Sequence, residues 1–287
     1  MEKEGDPMKI IVLSENTGCN SCLPEHGLSL LAEYRGEQYL VDTGASGLFA
    51  ENAGKMNVDL SQVKAAFLSH AHYDHAGGYP HFFAQNKTAK VYLQESAGRK
   101  HYFKLFGFIK KDIGIPSGIL DTYAERFEYV KGYCDFGNGV YLVPHSTPEM
   151  ILQRAKRAHM CAESASRIVF DDFSHEQTVV FEEDDGLVCI NSCSHAGVDV
   201  IISEVKKAFP GKRINAFFGG FHMMGLRRID SCSYSRDEVQ QVARRLLGSS
   251  DAVLYSGHCT GTVAFAWLKE IMGIRLESMA SGKVFEV

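Results

Sequence analysis

Four side chains that bind metal ions occur within six positions of this chain. His70, His72, Asp74 and His75 directly follow a short apolar run at residues 65–68. Imidazole and carboxylate groups at this density are far more typical of a metal site than of a hydrophobic core. A turn can aim alternate side chains the same way, so one pair could hold one ion while the other pair faces a second. These ligand types suit zinc, and also iron or manganese.

Such a cluster supplies too few ligands for two ions, so further histidines are expected after later strands. Three histidines have this position, each with glycine nearby: His195 after residues 187–191, His222 after residues 215–218, and His258 after residues 252–255. The repeated placement at strand ends indicates one site built from several parts of the chain.

The hydrophobic pattern predicts alternating strands and helices. Strands are predicted at residues 9–13, 28–34, 38–41, 65–68, 178–182, 187–191, 215–218 and 252–255, and helices at 47–56, 198–209, 235–247 and 263–272. Such alternation indicates α/β or α+β layers, with a sheet covered by helices. Residues 1–287 are expected to form one domain, with an insertion at about 98–176 that includes a helix at 148–160 and carries substrate specificity.

The composition argues against several classes of partner. The net charge of -5 removes the electrostatic argument for binding nucleic acid or an anionic membrane, so the basic residues at 103–111 and at 227–228 are interpreted as rim charges. No apolar run is long enough to span a bilayer, and the run at residues 8–13 is too short for a signal peptide. The expected partner is a small molecule and the expected location is the cytoplasm.

The eight cysteines are interpreted as reduced thiols. Cys19 and Cys22 form a lone C-x-x-C, without the second pair of a zinc finger. Cys193 and Cys259 lie beside predicted ligands and compete for the metal, but they rank below the histidines because neighbouring residues on an extended turn point apart.

The remaining histidines have no supporting spacing. His175 is followed by Glu176 at the end of the insertion, and this pair is interpreted as structural. The others are treated as ordinary histidines: His26, His81, His101, His145 and His159.

The order of these motifs resembles the metallo-β-lactamase superfamily across nearly the whole chain. The resemblance rests on H-x-H-x-D-H at residues 70–75, on the later histidines, and on an early strand that ends in Asp42-Thr43-Gly44. It implies a four-layer αβ/βα sandwich in which Asp42 orients a ligand histidine. It also implies two ligand sets, one of His70, His72 and His195 and one of Asp74, His75 and His258.

One segment departs from the superfamily pattern. Most members with two ions place a bridging aspartate between the last two histidine motifs, whereas this chain has Gly219-Gly220-Phe221-His222 there. This segment, together with residues 25–29, resembles a subgroup that includes an archaeal dihydropterin-forming ribofuranosylaminobenzene phosphate synthase. His222 is then a metal ligand or a proton donor beside the substrate, with a structural role as the alternative.

The leading functional hypothesis is a hydrolase in which a metal-activated water attacks an anionic substrate while Asp74 takes up a proton. The anionic substrate follows from glycine turns at residues 77–78, 197 and 261, each leading into a predicted helix whose N-terminus attracts anions. Two zinc ions are expected, with manganese or iron as alternatives. The competing hypotheses are a pterin-type transferase resembling the synthase, a diiron redox protein, and a metal-binding protein without catalysis.

Overall fold

The computed structural model describes residues 7–106, 109–145, 159–225 and 228–287. The strands of these residues are β1 (Lys9–Ser14), β2 (Ser29–Tyr34), β3 (Glu37–Val41), β4 (Val63–Phe67), β5 (Lys90–Gln94), β6 (His101–Leu105), β7 (Ile109–Asp112), β8 (Phe127–Val130), β9 (Cys134–Gly137), β10 (Val140–Pro144), β11 (Met160–Ser164), β12 (Arg167–Phe170), β13 (Gln177–Glu183), β14 (Gly186–Ile190), β15 (Ile214–Phe218), β16 (Met224–Gly225), β17 (Arg228–Cys232), β18 (Val253–Ser256), β19 (Leu276–Ser278) and β20 (Val284–Glu286). The α-helices are α1 (Leu48–Lys55), α2 (Tyr73–Ala76), α3 (Tyr79–Gln85), α4 (Ile119–Thr122), α5 (Val198–Ala208), α6 (Arg236–Ser249) and α7 (Thr262–Met272).

The strands and helices predicted from the hydrophobic pattern are confirmed outside the proposed insertion, with ends that differ by two residues at most. Inside it, the helix predicted at residues 148–160 lies outside the described residues except at its end, where β11 begins instead.

Two seven-stranded sheets form the centre of the molecule, in the orders β20-β1-β2-β3-β4-β5-β8 and β19-β18-β15-β14-β13-β10-β9. In the first sheet, strands β3, β4, β5 and β8 run parallel to one another. In the second sheet, strands β14, β15, β18 and β19 do the same. The carboxyl ends of parallel strands meet at one edge, where ligands bind in open α/β sheets. The loops after β4, β14, β15 and β18 leave from these ends, and they carry the predicted ligands.

The two sheets pack face to face, and helices cover their outer faces. The inner layer includes Tyr39 and Phe67 from the first sheet against Phe181 and Phe218 from the second. Helices α1 and α3 bury apolar residues on the outside of the first sheet, and α5, α6 and α7 do so on the second. Burial of apolar area on both faces of each sheet is the main force that holds these layers together. The predicted αβ/βα sandwich is therefore confirmed.

A four-stranded sheet, β12-β11-β6-β7, lies outside the sandwich and is called here the side sheet. It comes from residues 98–176, the predicted insertion, but the same stretch also supplies β8, β9 and β10 to the two large sheets. The division into one domain with an insertion stays a prediction. Within the described ranges, no helix combines the length and the apolar character needed to cross a membrane.

Candidate metal centre

The three histidines predicted to hold the first ion lie together at the sheet edge. The ring centroid of His70 is 4.6 Å from that of His72 and 4.8 Å from that of His195. One ligand nitrogen from each ring lies within 4.8 Å of the other two, and all three residues are buried. The loops after β4 and β14 therefore bring these rings to one point.

The three residues predicted for a second ion also lie together. Oδ2 of Asp74 is 3.5 Å from Nε2 of His258 and 3.7 Å from Nε2 of His75. The ring of His75 is 4.1 Å from that of His70. The two groups of ligands are therefore adjacent, with His75 between them.

Asp42 and Ser69 orient two of these imidazole rings. The Ser69 hydroxyl lies 2.6 Å from Oδ2 of Asp42 and 2.9 Å from Nδ1 of His70, and Nδ1 of His75 lies 2.8 Å from Oδ2 of Asp42. Because an ionised carboxylate only accepts, both Ser69 and His75 donate to it, and Nδ1 of His70 must donate to Ser69. This leaves the lone pair of each ring on Nε2. Asp42 thus holds a ligand histidine, as the resemblance implied.

The free nitrogens fit a metal ion. Within the described part of the chain, Nε2 of His70 and Nε2 of His72 are buried without a hydrogen-bond partner. Leaving a buried polar atom unsatisfied costs about 1–3 kcal/mol, so their convergence needs an explanation. A cation supplies one because it accepts several imidazole lone pairs at once, and imidazoles with a carboxylate are a donor set that zinc binds well.

Buried carboxylates anchor three of the ligand loops through backbone N–H groups. The contacts are Asp42 with the N–H of Ser69 at 2.7 Å, Glu176 with those of His195 at 2.7 Å and Ala196 at 3.0 Å, and Glu15 with that of His258. These three loops are called the anchored ligand loops. Glu176 accepts hydrogen bonds from N–H groups just before α5. The start of this helix therefore offers a substrate fewer free N–H donors than its glycine turn predicted.

The backbone adopts a left-handed conformation at four residues after strands around the site, none of which is glycine. The values of φ are 59° at Asp42, 51° at Ser194, 47° at His222 and 47° at His258. Such conformations cost of order 1–3 kcal/mol each and cluster at functional sites. Gly219 also has a positive φ of 147°, and a Cβ there would lie 1.7 Å from the carbonyl oxygen of Asn191. Only glycine permits this crossing of the loops after β14 and β15.

The expectation that Cys193 and Cys259 point away from the ligands is wrong. Sγ of Cys193 lies 3.3 Å from Nε2 of His75 and 3.3 Å from Sγ of Cys259. The expectation assumed an extended turn, but Ser194 and His258 have positive φ values that fold both loops back. Neighbouring side chains therefore face the same centre.

His26 also reaches the site, although it was treated as an ordinary histidine. Its Nε2 lies 3.4 Å from Oδ2 of Asp74, and its ring is 5.2 Å from that of His258. Burial, followed by the effect of His258, lowers the pKa of His26 to about 4, so the ring is neutral at pH 7. The only sequence signal for a role of His26 in the site was its position in residues 25–29, a segment that resembles the subgroup of the archaeal synthase.

His175 holds the first ligand loop through a contact with the backbone of Ala71. Its Nδ1 accepts the N–H of Ala71 at 2.9 Å, so its Nε2 carries the proton and faces Asp171 at 3.3 Å. Asp171 also contacts Nδ1 of His101 at 2.7 Å. The structural roles expected for His175 and Glu176 agree with these contacts.

Burial and neighbouring charges set the protonation of the predicted ligands. Burial lowers the pKa of His72 to about 3 and that of His70 well below its usual value, so both rings are neutral at pH 7. Burial opposes ionisation of Asp74, but His75 and His258 outweigh it and lower the pKa of the carboxyl. Burial also opposes the charge on His258, yet Cys259 and Asp74 raise its pKa to about 9. A metal ion must displace a proton from this ring.

A cavity of about 590 Å³ opens onto Asp74, His72 and the two cysteines. The side sheet supplies one wall, and the β16–β17 ribbon supplies part of the opposite one. His222, whose ring lies 4.1 Å from that of His195, also lines the cavity. The volume lies within the range of small-molecule sites, which is about 300–1,000 Å³.

Comparison with known proteins supports the family resemblance. A sequence model of the metallo-β-lactamase superfamily matches residues 23–149, which include the H-x-H-x-D-H motif. The 7,8-dihydropterin-6-methyl-4-(beta-D-ribofuranosyl)-aminobenzene-5'-phosphate synthase of Methanocaldococcus jannaschii is 25% identical, and the alignment covers 98% of this chain and 97% of that protein. The resemblance to the superfamily, and to the subgroup of this synthase, is thus confirmed.

Solved structures give the same fold. A crystal structure described as a metal-dependent hydrolase of the β-lactamase superfamily has a TM-score of 0.81 and 27% identity, covering 98% of this chain and 99% of that one. A diphosphatase of the PhnP family has a TM-score of 0.54 and 13% identity, covering 98% of each chain. The second likeness concerns the fold alone.

Proposed function

We propose that this protein is a metal-dependent hydrolase of a small anionic substrate. The proposal starts from the fold and the histidine motif that it shares with the metallo-β-lactamase superfamily. The observation that carries the proposal is the convergence of the buried, unpartnered Nε2 atoms of His70 and His72, with His72 and Asp74 lining a cavity. Divalent ions held there, zinc first among them, would polarise the substrate and lower the pKa of a bound water.

Asp74 and His222 carry the proposed proton transfers. Both line the cavity, so both can meet a substrate. The lowered pKa of the Asp74 carboxyl keeps it ionised at neutral pH, so it can accept a hydrogen bond from an attacking water, and a metal ion that lowers the pKa of that water would let Asp74 take up its proton. His222 donates a proton to the leaving group. Asp42, Ser69 and Asn16 keep the ligand rings oriented, since Nδ1 of His258 lies 3.0 Å from Oδ1 of Asn16.

The cavity wall supports an anionic substrate with an apolar part. Lys111 is the one lysine or arginine among the described residues that line the cavity, and it comes from β7 of the side sheet. His26 is neutral and adds a hydrogen-bonding ring without a charge. Phe103, Ile113 and Met224 provide apolar surface. A phosphate or carboxylate near Lys111, with a ring or acyl group against this surface, fits the lining.

Turnover in isotopically labelled water tests the proposal. Zinc-loaded protein is incubated with phosphodiesters, thioesters, lactones and pterin phosphates, with His72→Ala as the control variant. The expected result is turnover of one anionic class, with solvent oxygen in the product and no turnover in the variant or after chelation. Turnover that persists without metal would contradict the proposal.

The second candidate is transfer to an aromatic amine, as in the archaeal synthase. The alignment over nearly the full length of both proteins favours it. The same incubation with an aromatic amine added separates the two reactions, because a transferase joins the pterin carbon of a pterin phosphate to the amine with release of phosphate and leaves solvent oxygen out of the joined product.

A further inference from the structure

Cys193 occupies a central place among the potential metal ligands. Three groups of residues whose ligand atoms lie within 4.8 Å of one another all contain it: with His70 and His75, with His195 and His222, and with His258 and Cys259. Its sulfur therefore adjoins residues from both predicted ligand sets.

The surroundings of Cys193 favour a ligand over an inert core thiol. It is 3% exposed, yet it lines the cavity floor. Its Sγ lies 3.3 Å from Nε2 of His75, the nitrogen that Asp42 leaves with a lone pair. Cys259 approaches from the other side at 3.3 Å, and its own sulfur accepts the backbone N–H of His222 at 3.3 Å. Buried structural cysteines pack against apolar side chains, whereas this one faces imidazoles and a thiol.

The neighbouring loop offers no alternative bridging group. Residues 219–225, which follow β15 and border the cavity, contain no aspartate or glutamate. A ligand shared by two ions at this place must come from another loop, and the sulfur of Cys193 is the atom that adjoins both sets.

We propose that Cys193 is a thiolate ligand shared by the two metal positions, with Cys259, whose Sγ lies 3.3 Å from that of Cys193, as a positioning residue. The inference rests on the proposed metal binding. On coordination the Cys193 thiol loses its proton to solvent, because a metal-bound thiol is deprotonated. A thiolate in the set selects zinc over manganese or magnesium, which prefer oxygen ligands.

X-ray absorption of the zinc-loaded protein tests this assignment without any measurement of activity. The expected spectrum contains a sulfur neighbour at about 2.3 Å besides nitrogen and oxygen neighbours at about 2.0–2.2 Å. Cys193→Ser should lose the sulfur neighbour and bind the second zinc at least about tenfold more weakly. Cys259→Ser should keep it. Cys134→Ser, a half-exposed cysteine on β9, is the matched control.

The outcomes separate this inference from the proposed function. Zinc bound with full stoichiometry but without a sulfur neighbour overturns the role of Cys193 and leaves the metal site intact. Loss of the sulfur neighbour in Cys259→Ser but not in Cys193→Ser overturns it as well. A wild-type protein that binds no zinc overturns both proposals. If Cys193→Ser does not fold, the wild-type spectrum and Cys259→Ser still decide.

Discussion

The anchored ligand loops and the side sheet line the same cavity but are built differently. Each anchored loop follows a buried strand and is fixed by a buried carboxylate, as in the contact of Glu176 with His195. The side sheet carries Phe103 and Lys111 into the cavity, while Phe106 at its edge is 84% exposed. The loops can hold a fixed coordination geometry, whereas the sheet contributes surface and charge.

This difference separates chemistry from recognition. Metal sites need ligands held to within a fraction of an ångström, which requires oriented rings and satisfied backbone groups. Binding residues tolerate variation, and they concentrate on segments carried by a rigid scaffold. Changes in the loops should therefore affect metal binding, and changes in the side sheet should affect substrate affinity alone.

The largest effect is expected from His70→Ala, which removes a central imidazole from the loop after β4. The variant should bind the first metal ion far more weakly and lose metal-dependent turnover, because only His72 and His195, with the proposed Cys193 thiolate, remain to hold that ion. Elemental analysis after gel filtration measures this. His81→Ala, on α3 outside the site, is the control. An equal metal content in both variants would contradict the role of His70 in metal binding.

The next effect concerns pH in the metal-free protein. The pKa of His72 is about 3 in the folded state and about 6.5 when unfolded, so the unfolded chain binds more protons between these values. Stability should be complete above pH 6.5 and fall as the pH decreases toward 3, by about 1.4 kcal/mol per pH unit for this one group. His72→Gln should show a shallower slope in denaturant unfolding with chelator present. His81→Gln is the control, and a slope unchanged by His72→Gln would contradict the burial of a neutral ring.

Glu176→Gln tests the anchoring carboxylates. The amide accepts less strongly from the N–H groups of His195 and Ala196, so metal affinity should fall by about 10–100-fold. Unfolding stability should fall by about 1–3 kcal/mol. Competition with a chromogenic chelator measures the affinity. Glu125→Gln, an exposed change, should alter neither, and unchanged affinity in Glu176→Gln would show that the anchor is dispensable.

The smallest effect is expected in the side sheet. Lys111→Ala should raise KM for an anionic substrate by up to about fivefold, because an exposed charge contact contributes at most about 1 kcal/mol. Metal content and kcat should not change. Lys110→Ala alters the adjacent position of β7, whose side chain points to the opposite face, and it should leave KM unchanged. Equal effects of the two variants would remove Lys111 from the site.

The layered arrangement of strands and helices, and the grouping of histidines at one sheet edge, were predictable from local patterns, whereas the αβ/βα sandwich and the two predicted ligand sets came from the family resemblance. Apolar periodicity defined the strands, and the ligand histidines followed strand ends. The anchors Glu15 and Glu176 were not predictable as anchors, since each contacts a loop far away in sequence. Glu15 lies 243 positions from His258, and no local pattern reports such a contact.

Two errors have different physical origins. Cys193 and Cys259 were expected to point away from the ligands because an extended turn was assumed. The left-handed conformations of Ser194 and His258 turn the two cysteine side chains toward the site. The residue type alone does not predict a positive φ at either position. His26 was overlooked because its contact with Asp74 is formed only when two distant segments pack together.

Anomalous diffraction at the zinc edge, on crystals of protein purified without added metal, tests the central claim most directly. Two peaks per chain are expected, one at about 2.0–2.2 Å from nitrogens of His70, His72 and His195 and one at that distance from Asp74 and His258. Metal-loaded crystals with no peak at these residues would contradict it.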